Sequence, residues 1–174
     1  MVEKITFLLP IAAVISHVIF VILLLAIIFK NSWGKDITDW LGKYSVKLAL
    51  VAALVGMSGS LFYSEIVGYE PCLLCWWQRV TLYPMVVLFT IALWKKTRSA
   101  FLYAVPLALI SMVFSVYHSY VYMGGTSILP CTALGGACAK VYVMAFGYIT
   151  IPLMAFRAFL LIILLQLKRR GAMK

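Results

Sequence analysis

Charged residues are scarce in this chain: they make up 11% of its 174 residues, and only five of them are acidic. Hydrophobic residues make up 65%, and the mean hydropathy is +1.06. Water does not solvate a folded globule of this composition, and lipid requires each spanning segment to satisfy its own backbone polar groups. The composition therefore excludes a soluble domain and predicts an all-α integral membrane protein built as a helix bundle.

Other absences narrow the function. The sequence has no internal repeat, no low-complexity tract and no soluble module on which a basic face is interleaved with aromatic side chains. Nucleic-acid binding is therefore not expected, despite a net charge of +10. A c-type haem would need a histidine directly after the second cysteine of a C-x-x-C motif, whereas Trp76 follows Cys75 here. Haem attachment is disfavoured for that reason.

Five apolar runs cover residues 5–29, 46–67, 79–94, 100–122 and 144–167. Each has about 16–25 residues, roughly enough to cross a ~30 Å hydrocarbon core. The first run exceeds the about 7–15 apolar residues of a signal peptide, and no small-x-small cleavage site follows it. We therefore predict about five transmembrane helices. The first is a retained N-terminal helix, and together with an amphipathic segment it occupies residues 1–45, before the four later spans.

The amphipathic segment lies in the first loop. Its apolar residues have helical spacing and its polar residues lie opposite them: Ile37, Trp40, Leu41 and Tyr44 against Asp36, Asp39 and Lys43. This pattern predicts a short helix on the inner membrane surface, acting as an anchor.

Basic residues predict the orientation of the chain in the membrane. They cluster in the first loop, the third loop and the C-terminal tail: Lys30, Lys35, Lys43, Lys47; Lys95, Lys96, Arg98; and Lys168, Arg169, Arg170, Lys174. Under the positive-inside rule these segments, including the C-terminus, are cytoplasmic. The second loop, about 68–78, and the fourth, about 123–143, then face outward, and they contain all four cysteines.

The cysteines form two pairs, Cys72 with Cys75 and Cys131 with Cys138. Pro71 is typical of a helix start, and residues three apart on a helix are close enough for a disulfide. The positive end of the helix and the cation of Arg79, one turn after Cys75, both favour the thiolate. This pattern indicates electron transfer through thiols.

Two other roles compete with electron transfer for these cysteines. A four-cysteine zinc site is disfavoured because six residues separate Cys131 from Cys138, against a usual spacing of about 2–4, and because zinc leaves Arg79 unexplained. No metal is therefore expected. Structural disulfides in an oxidising outer compartment are the second alternative, although a C-x-x-C ring stabilises little by loop closure. That alternative describes a non-catalytic membrane scaffold.

Three stretches together form a specific pattern: Tyr63-Ser64-Glu65; Tyr69-Glu70-Pro71-Cys72-Leu73-Leu74-Cys75-Trp76-Trp77-Gln78-Arg79 with Tyr83-Pro84; and Pro130-Cys131 with Cys138. The pattern closely resembles the DsbB/BdbC family of disulfide bond formation proteins, nearer to the BdbC branch. The resemblance covers about residues 46–167 and implies a four-helix bundle core with the redox site, which we place at residues 46–174. The additional N-terminal transmembrane helix at 5–29 departs from the family's four spans. The alternative enzyme is a vitamin K epoxide reductase-like protein or another thiol/quinone reductase. The former are related proteins, but they carry the two cysteine pairs in the opposite order, which argues against this alternative.

The resemblance implies a multi-pass protein of the bacterial cell membrane that oxidises a soluble, extracytoplasmic, thioredoxin-like partner of the DsbA/BdbD kind. The partner attacks the Cys131–Cys138 disulfide and forms a mixed disulfide with Cys131. Cys138 then exchanges with Cys72, and Cys75 passes two electrons to a membrane quinone, ubiquinone or menaquinone. Each transfer between cysteines is a thiolate attack on a disulfide sulfur.

Three residues are expected at the quinone. Arg79 would lie beside the quinone carbonyl and stabilise charge there and on Cys75, the alternative being an arginine that reaches out to lipid head groups. Trp76 would offer a ring face, the alternative being an aromatic belt at the outer interface. His118, near the outer end of the fourth span, would accept a proton or donate a hydrogen bond, the alternative being a packing role.

Three more ionisable residues fall within or near the spans. Glu65 is expected to pair with an arginine, orient the cysteine loop or carry protons. His17 is expected to make a hydrogen bond inside the bundle. Arg157 lies well inside the fifth span, which requires a partner or a polar cavity.

Overall fold

The computed structural model describes residues 14–15, 17–25, 32–97, 99–129, 138–145, 147 and 149–171. Helix α1 comprises the helical residues 14–15 and 17–25. It is followed by α2 (Ser32–Leu61), a π-helical turn (Phe62–Ile66), α3 (Leu73–Trp94), α4 (Ala100–Tyr122) and α5 (Ile151–Gly171). A small antiparallel hairpin lies between α4 and α5, with Met144 of β1 (Met144–Ala145) opposite Thr150 of β2 (Ile149–Thr150).

The prediction of a helical membrane protein is confirmed. Within the described residues, three helices are long and apolar enough to cross a membrane: Asp39–Ile66, Leu73–Trp94 and Ala100–Tyr122. They correspond to the second, third and fourth predicted spans. Helix Ile151–Gln166 is apolar but shorter. The first predicted span, residues 5–29, lies partly outside the described residues.

The fifth span was predicted to begin at residue 144, and this boundary is wrong. The hairpin occupies that position, with Gly147 between its strands at φ +77°, a left-handed conformation that interrupts a helix. Helix α5 begins only at Ile151. Thr150 Oγ1 accepts a hydrogen bond from the backbone N–H of Leu153, as an N-cap does, and Pro152 suits the first turn.

The amphipathic segment is helical as predicted, but it is not a separate helix. Residues 37–44 lie within α2, which runs without a break into the second span. The segment contains no proline, so nothing removes a backbone hydrogen bond there. Leu41 packs into the bundle core, whereas Trp40 is exposed. The predicted domain boundary after residue 45 falls inside this helix and stays a prediction.

Helices α2, α3, α4 and α5 form a closed four-helix bundle, because α2 packs against α3, α3 against α4, α4 against α5, and α5 back against α2. Small buried residues allow close approach of the helices. Large side chains fill the remaining space, and the rings of Phe89 and Phe101 meet edge to face with centroids 5.1 Å apart. The core residues with no exposed surface include Ala49, Ala53, Met85, Phe89, Phe101, Ala104, Ala108, Phe159 and Ile162.

Helix α1 is attached to this bundle through α5. Arg157 Nη1 donates a hydrogen bond to His17 Nδ1 at 2.6 Å, and Arg157 Nε donates to the carbonyl of Leu153 at 3.4 Å. Because arginine has no acceptor, His17 must accept with Nδ1 and carry its proton on Nε2. The prediction that His17 bonds inside the bundle is confirmed, and the buried Arg157 has a partner.

Candidate active site

The end of α2, the start of α3, the end of α4 and the hairpin meet at one end of the bundle. Three contacts of aromatic rings join the segment after α2 to the segment before the hairpin: Tyr63 stacks on Tyr69 with centroids 5.7 Å apart, Tyr69 stacks on Tyr142 at 4.5 Å, and Lys140 lies over the Tyr142 ring at 5.0 Å. The two predicted outward loops, one of which carries the C-x-x-C motif, are thus in contact.

Cys72 is the N-cap of α3. Its backbone is extended (φ −72°, ψ 170°), and its sulfur accepts a hydrogen bond from the backbone N–H of Cys75 at 3.4 Å. The prediction that a helix starts at this motif is confirmed. The third predicted span therefore begins at Leu73 rather than at residue 79.

Cys72 and Cys75 are free thiols whose sulfur atoms lie 3.1 Å apart. A disulfide has a sulfur–sulfur distance of about 2.05 Å, so a small movement would join them. Cys72 is only 1% exposed, whereas Cys75 is partly exposed. The helical spacing predicted this approach, and Cys72 is the more buried residue of the two.

His118 of α4 reaches the Cys72 sulfur. Its Nε2 lies 3.6 Å from Cys72 Sγ, and its side chain is 4% exposed. The Tyr122 ring meets the imidazole edge to face at 6.2 Å. His118 Nδ1 is buried and has no hydrogen-bond partner among the described residues. The structure therefore places His118 within reach of the Cys72 sulfur, so its role is not limited to packing.

The hydrogen bond from Cys75 lowers the pKa of the Cys72 thiol well below its usual value. Burial opposes this shift, and the hydrogen bond and charge of His118 add to it. The sequence predicted that the helix terminus and Arg79 favour the thiolate. In the structure, the nearest contacts of the Cys72 sulfur are Cys75 and His118.

Arg79 is buried between α3 and α2, with 6% of its surface exposed. Its Nε donates to Ser60 Oγ at 2.8 Å, and its Nη2 donates to the Ser60 carbonyl at 2.9 Å. Its guanidinium also lies over the Trp76 ring, 5.2 Å from the centroid. The side chain thus points into the bundle. An arginine that reaches out to lipid head groups would instead be exposed.

Trp76 is 51% exposed on the outside of the bundle, beside Cys75 in the chain. Trp77 is also exposed, and it stacks on Phe114 of α4 with centroids 5.4 Å apart. These positions suit an aromatic belt. The ring of Trp76 nevertheless contacts Arg79, so it belongs to the surroundings of the motif.

The second cysteine pair is described at one residue. Cys138 is disulfide-bonded and fully buried, in one apolar cluster with Cys72, Leu74 and Val121. Cys131 lies outside the described residues. The predicted exchange between Cys138 and Cys72 requires these two residues to lie near each other, and their shared cluster meets that requirement.

Sequence reasoning missed several residues around the motif. Ser60 binds Arg79, and the Tyr122 hydroxyl both donates to the Val143 carbonyl at 2.9 Å and accepts from the Val143 N–H at 3.1 Å. Gln78 is 7% exposed, and its Nε2 has no hydrogen-bond partner within the described residues. For Ser60 the only sequence signal is a polar residue in an apolar helix, whereas Gln78 belongs to the quoted motif but was given no role.

Two other assignments from the sequence concern Glu65 and metals. Glu65 is exposed on the π-helical turn and accepts a hydrogen bond from Ser64 Oγ at 2.9 Å.

The ligand atoms of Cys72, Cys75 and His118 lie within 4.8 Å of one another, an arrangement that could hold a metal ion. This set differs from the four-cysteine site that was disfavoured.

Together, fold and site define a helical membrane protein with a thiol pair at one end of a four-helix bundle. The match to a family of known proteins extends this description. The family described as "Disulfide bond formation protein DsbB" matches residues 43–168, and the chain belongs to this family. It is accordingly a membrane protein of disulfide bond formation, and the resemblance inferred from the motifs is confirmed.

Individual relatives agree. The chain is 35% identical to "Probable disulfide formation protein C 2" of Bacillus cereus, over 73% of this chain and 91% of the relative. It is 39% identical to "Disulfide bond formation protein C" of Bacillus subtilis, over 70% of this chain and 88% of the relative. It is 41% identical to "Probable disulfide formation protein" of Oceanobacillus iheyensis, over 69% and 84%. No solved structure matches the chain.

Proposed function

We propose that this protein is a protein-dithiol:quinone oxidoreductase. It reoxidises a soluble, extracytoplasmic, thioredoxin-like partner and passes the electrons to a membrane quinone, supporting disulfide formation in exported proteins. The observation that carries this proposal is the position of the Cys72 and Cys75 thiols, 3.1 Å apart and in one cluster with the disulfide-bonded Cys138.

The exchange between cysteines balances as follows. A thiolate of the partner attacks Cys131 of the outer disulfide, and Cys138 leaves as a thiolate. The second partner thiol then attacks the mixed disulfide, so the oxidised partner leaves and Cys131 and Cys138 hold two electrons. Cys138 next attacks Cys72 of a Cys72–Cys75 disulfide, Cys75 leaves as a thiolate, and Cys131 restores the outer disulfide. The two electrons now lie on Cys72 and Cys75.

Residues of α3 and α4 prepare the inner pair for reoxidation. His118 Nε2 lies 3.6 Å from Cys72 Sγ, so it can hold a proton there and stabilise the thiolate. Cys75 is the more exposed residue of the pair, and its chain neighbour Trp76 presents an apolar ring on the outside of the bundle. These positions favour the assignment of Cys75 to the quinone-facing role.

The residues present fit a quinone. A quinone supplies an acceptor for two electrons and two protons. Arg79 has five N–H donors, and Ser60 accepts from two nitrogen atoms of its guanidinium, which leaves donors for a carbonyl oxygen. Gln78 Nε2 and His118 Nδ1 are buried polar atoms without partners among the described residues. A hydrogen bond to a bound quinone would remove the free-energy cost of leaving each of them unpaired. Arg79, Trp76 and His118 are therefore proposed as quinone-binding residues.

The test is a thiol count on the purified protein, which is reduced, freed of reductant and mixed with a soluble quinone analogue without oxygen. We expect two thiols to be lost for each quinol formed, and no quinol with Cys75→Ser. A Cys131→Ser/Cys138→Ser double variant should keep this half-reaction but lose oxidation of the partner. Thiols that persist in the wild-type protein would overturn the proposal and leave structural disulfides as the explanation.

The direction of the reaction needs a second measurement, because a reductase would use the same cysteines. We expect added quinol to leave the protein's disulfides intact. Rapid reduction of the protein by quinol, followed by reduction of a substrate, would favour the reductase alternative.

A further inference from the structure

We propose that the reduced Cys72–Cys75 pair and His118 form a binding site for a thiophilic divalent metal ion such as Zn²⁺. The site exists only while both cysteines are thiols. It stands on the positions of three ligand atoms, Cys72 Sγ, Cys75 Sγ and His118 Nε2, all within 4.8 Å of one another. Neither a quinone nor a partner protein is needed to form it.

The distances suit tetrahedral coordination. With Zn–S bonds of about 2.3 Å and a Zn–N bond of about 2.0–2.1 Å, tetrahedral ligands lie about 3.8 Å apart for two sulfurs and about 3.6 Å for sulfur and nitrogen. The observed distance from Cys72 Sγ to His118 Nε2 is 3.6 Å, and the two sulfurs are 3.1 Å apart. The sulfur pair must open by roughly 0.7 Å, which a rotation of the partly exposed Cys75 side chain can supply. The third distance, from Cys75 Sγ to His118 Nε2, lies within 4.8 Å, and the same rotation adjusts it.

The type of ligand selects the ion. Two thiolates and an imidazole prefer zinc to Mg²⁺ or Ca²⁺, which prefer oxygen ligands. Three protein ligands leave the fourth position open, as in zinc sites that bind water or a small molecule. On binding, Cys72 and Cys75 coordinate as thiolates and His118 coordinates through Nε2. The protons that these three ligand atoms carry leave to solvent, and no electron is transferred.

The surroundings predict a moderate affinity. A metal-bound histidine usually donates its second ring N–H to an acceptor, and loss of that acceptor weakens binding by about 10–100-fold. His118 Nδ1 is buried and has no such acceptor within the part of the chain that the structure describes. The site is therefore suited to an ion that enters and leaves, and not to a permanent structural zinc.

A bound ion and a Cys72–Cys75 disulfide exclude each other, because sulfur in a disulfide has no thiolate to donate. Zinc outside the cell would therefore hold the pair reduced and slow the reaction. This consequence rests on the proposed function, whereas the binding itself does not.

The experiment uses the full chain in detergent, reduced and freed of reductant without oxygen, and titrated with Co²⁺ as a spectroscopic probe and Zn²⁺ as a competitor. We expect one ion per chain with a thiolate-to-cobalt charge-transfer band that Zn²⁺ abolishes. Oxidation of the inner pair should abolish binding, and reductant should restore it. Because loss of a direct ligand costs more than loss of its hydrogen-bond acceptor, Cys72→Ser, Cys75→Ser and His118→Ala should each weaken binding more than about 100-fold.

Two controls locate the ion. His17→Gln changes the chain's other histidine and should retain wild-type affinity, because the sequence contains only two. The Cys131→Ser/Cys138→Ser variant should also bind normally. Loss of binding in that variant, or wild-type affinity in folded His118→Ala protein, would overturn the proposal. If a variant fails to fold, the absence of a cobalt–thiolate band in the reduced wild-type protein is sufficient to reject the site.

Failure of this site and failure of the proposed function are distinguishable. Metal binding is measured without quinone or partner, so its absence leaves the thiol count of the first test unchanged. Conversely, thiols that resist the quinone analogue would still bind Co²⁺. If both proposals hold, excess Zn²⁺ should slow the loss of thiols to the quinone analogue, and a chelator should restore it.

Discussion

Arg79 of α3 and Ser60 of α2 are joined by two hydrogen bonds, from Nε to the serine hydroxyl at 2.8 Å and from Nη2 to the serine carbonyl at 2.9 Å. Ser60 lies just before the π-helical turn at Phe62–Ile66. The pair fixes the guanidinium one helical turn from Cys75, with the Trp76 ring beneath it. Ser60, which no sequence motif indicated, thus sets the position of Arg79, which belongs to the motif.

Ser60→Ala should reduce the efficiency of the quinone half-reaction without affecting the cysteines. It removes one hydrogen bond and leaves the carbonyl contact, so we expect a loss of about 1 kcal/mol, roughly fivefold in kcat/KM for the quinone analogue. Ser58→Ala is the matched control, because the Ser58 hydroxyl donates to Leu54 of its own helix. Equal kinetics in the two variants would mean that Ser60 does not position Arg79.

Arg79→Ala should have a larger effect on the same half-reaction. The variant loses the cation proposed to stabilise negative charge near Cys75, and such losses commonly cost about 10²–10³-fold in turnover. Arg79→Lys keeps the charge but not the forked geometry, so its activity should lie between those of the wild type and the alanine variant. Quinone kinetics measure this effect. Unchanged turnover and quinone affinity in Arg79→Ala would assign the residue to packing alone.

His17→Ala should destabilise the protein without changing its chemistry. The substitution removes the acceptor at 2.6 Å from the buried Arg157, and a buried donor that loses a partner costs about 1–3 kcal/mol. Thermal unfolding in detergent measures the change. His17→Gln, whose side-chain carbonyl can accept the same hydrogen bond, should recover most of the loss, and Ile19→Ala on the exposed side of α1 should have little effect. A loss of thermal stability in His17→Gln as large as that in His17→Ala would contradict this account.

Tyr122→Phe should slow electron transfer between the two cysteine pairs. The change removes both hydrogen bonds to the backbone of Val143, which follows Cys138 in the outer loop. At about 0.5–1.5 kcal/mol for each hydrogen bond, the loop should be held less firmly and partner oxidation should fall severalfold. The quinone half-reaction should remain at the wild-type rate. Tyr120→Phe, on an exposed position of the same helix, provides the control. Loss of the quinone half-reaction instead would show that Tyr122 supports His118.

The sequence by itself determined the class of structure and the approach of two cysteines. Among the described residues, long apolar runs identified the three helices that are long and apolar enough to span a membrane, because lipid leaves backbone polar groups no partner outside a helix. It also determined that Cys72 and Cys75 meet, because residues three apart on a helix share a face. Both results depend on local geometry, which one segment of chain contains in full.

Only the tertiary structure decided which residues distant in the sequence meet. His118 is 46 positions from Cys72, Ser60 is 19 from Arg79, and His17 is 140 from Arg157. Such contacts depend on how each helix is rotated about its axis, and apolar spans of nearly uniform hydrophobicity do not encode that rotation in their pattern. It follows from the packing of the whole bundle, including the hairpin that replaced the predicted start of the fifth span.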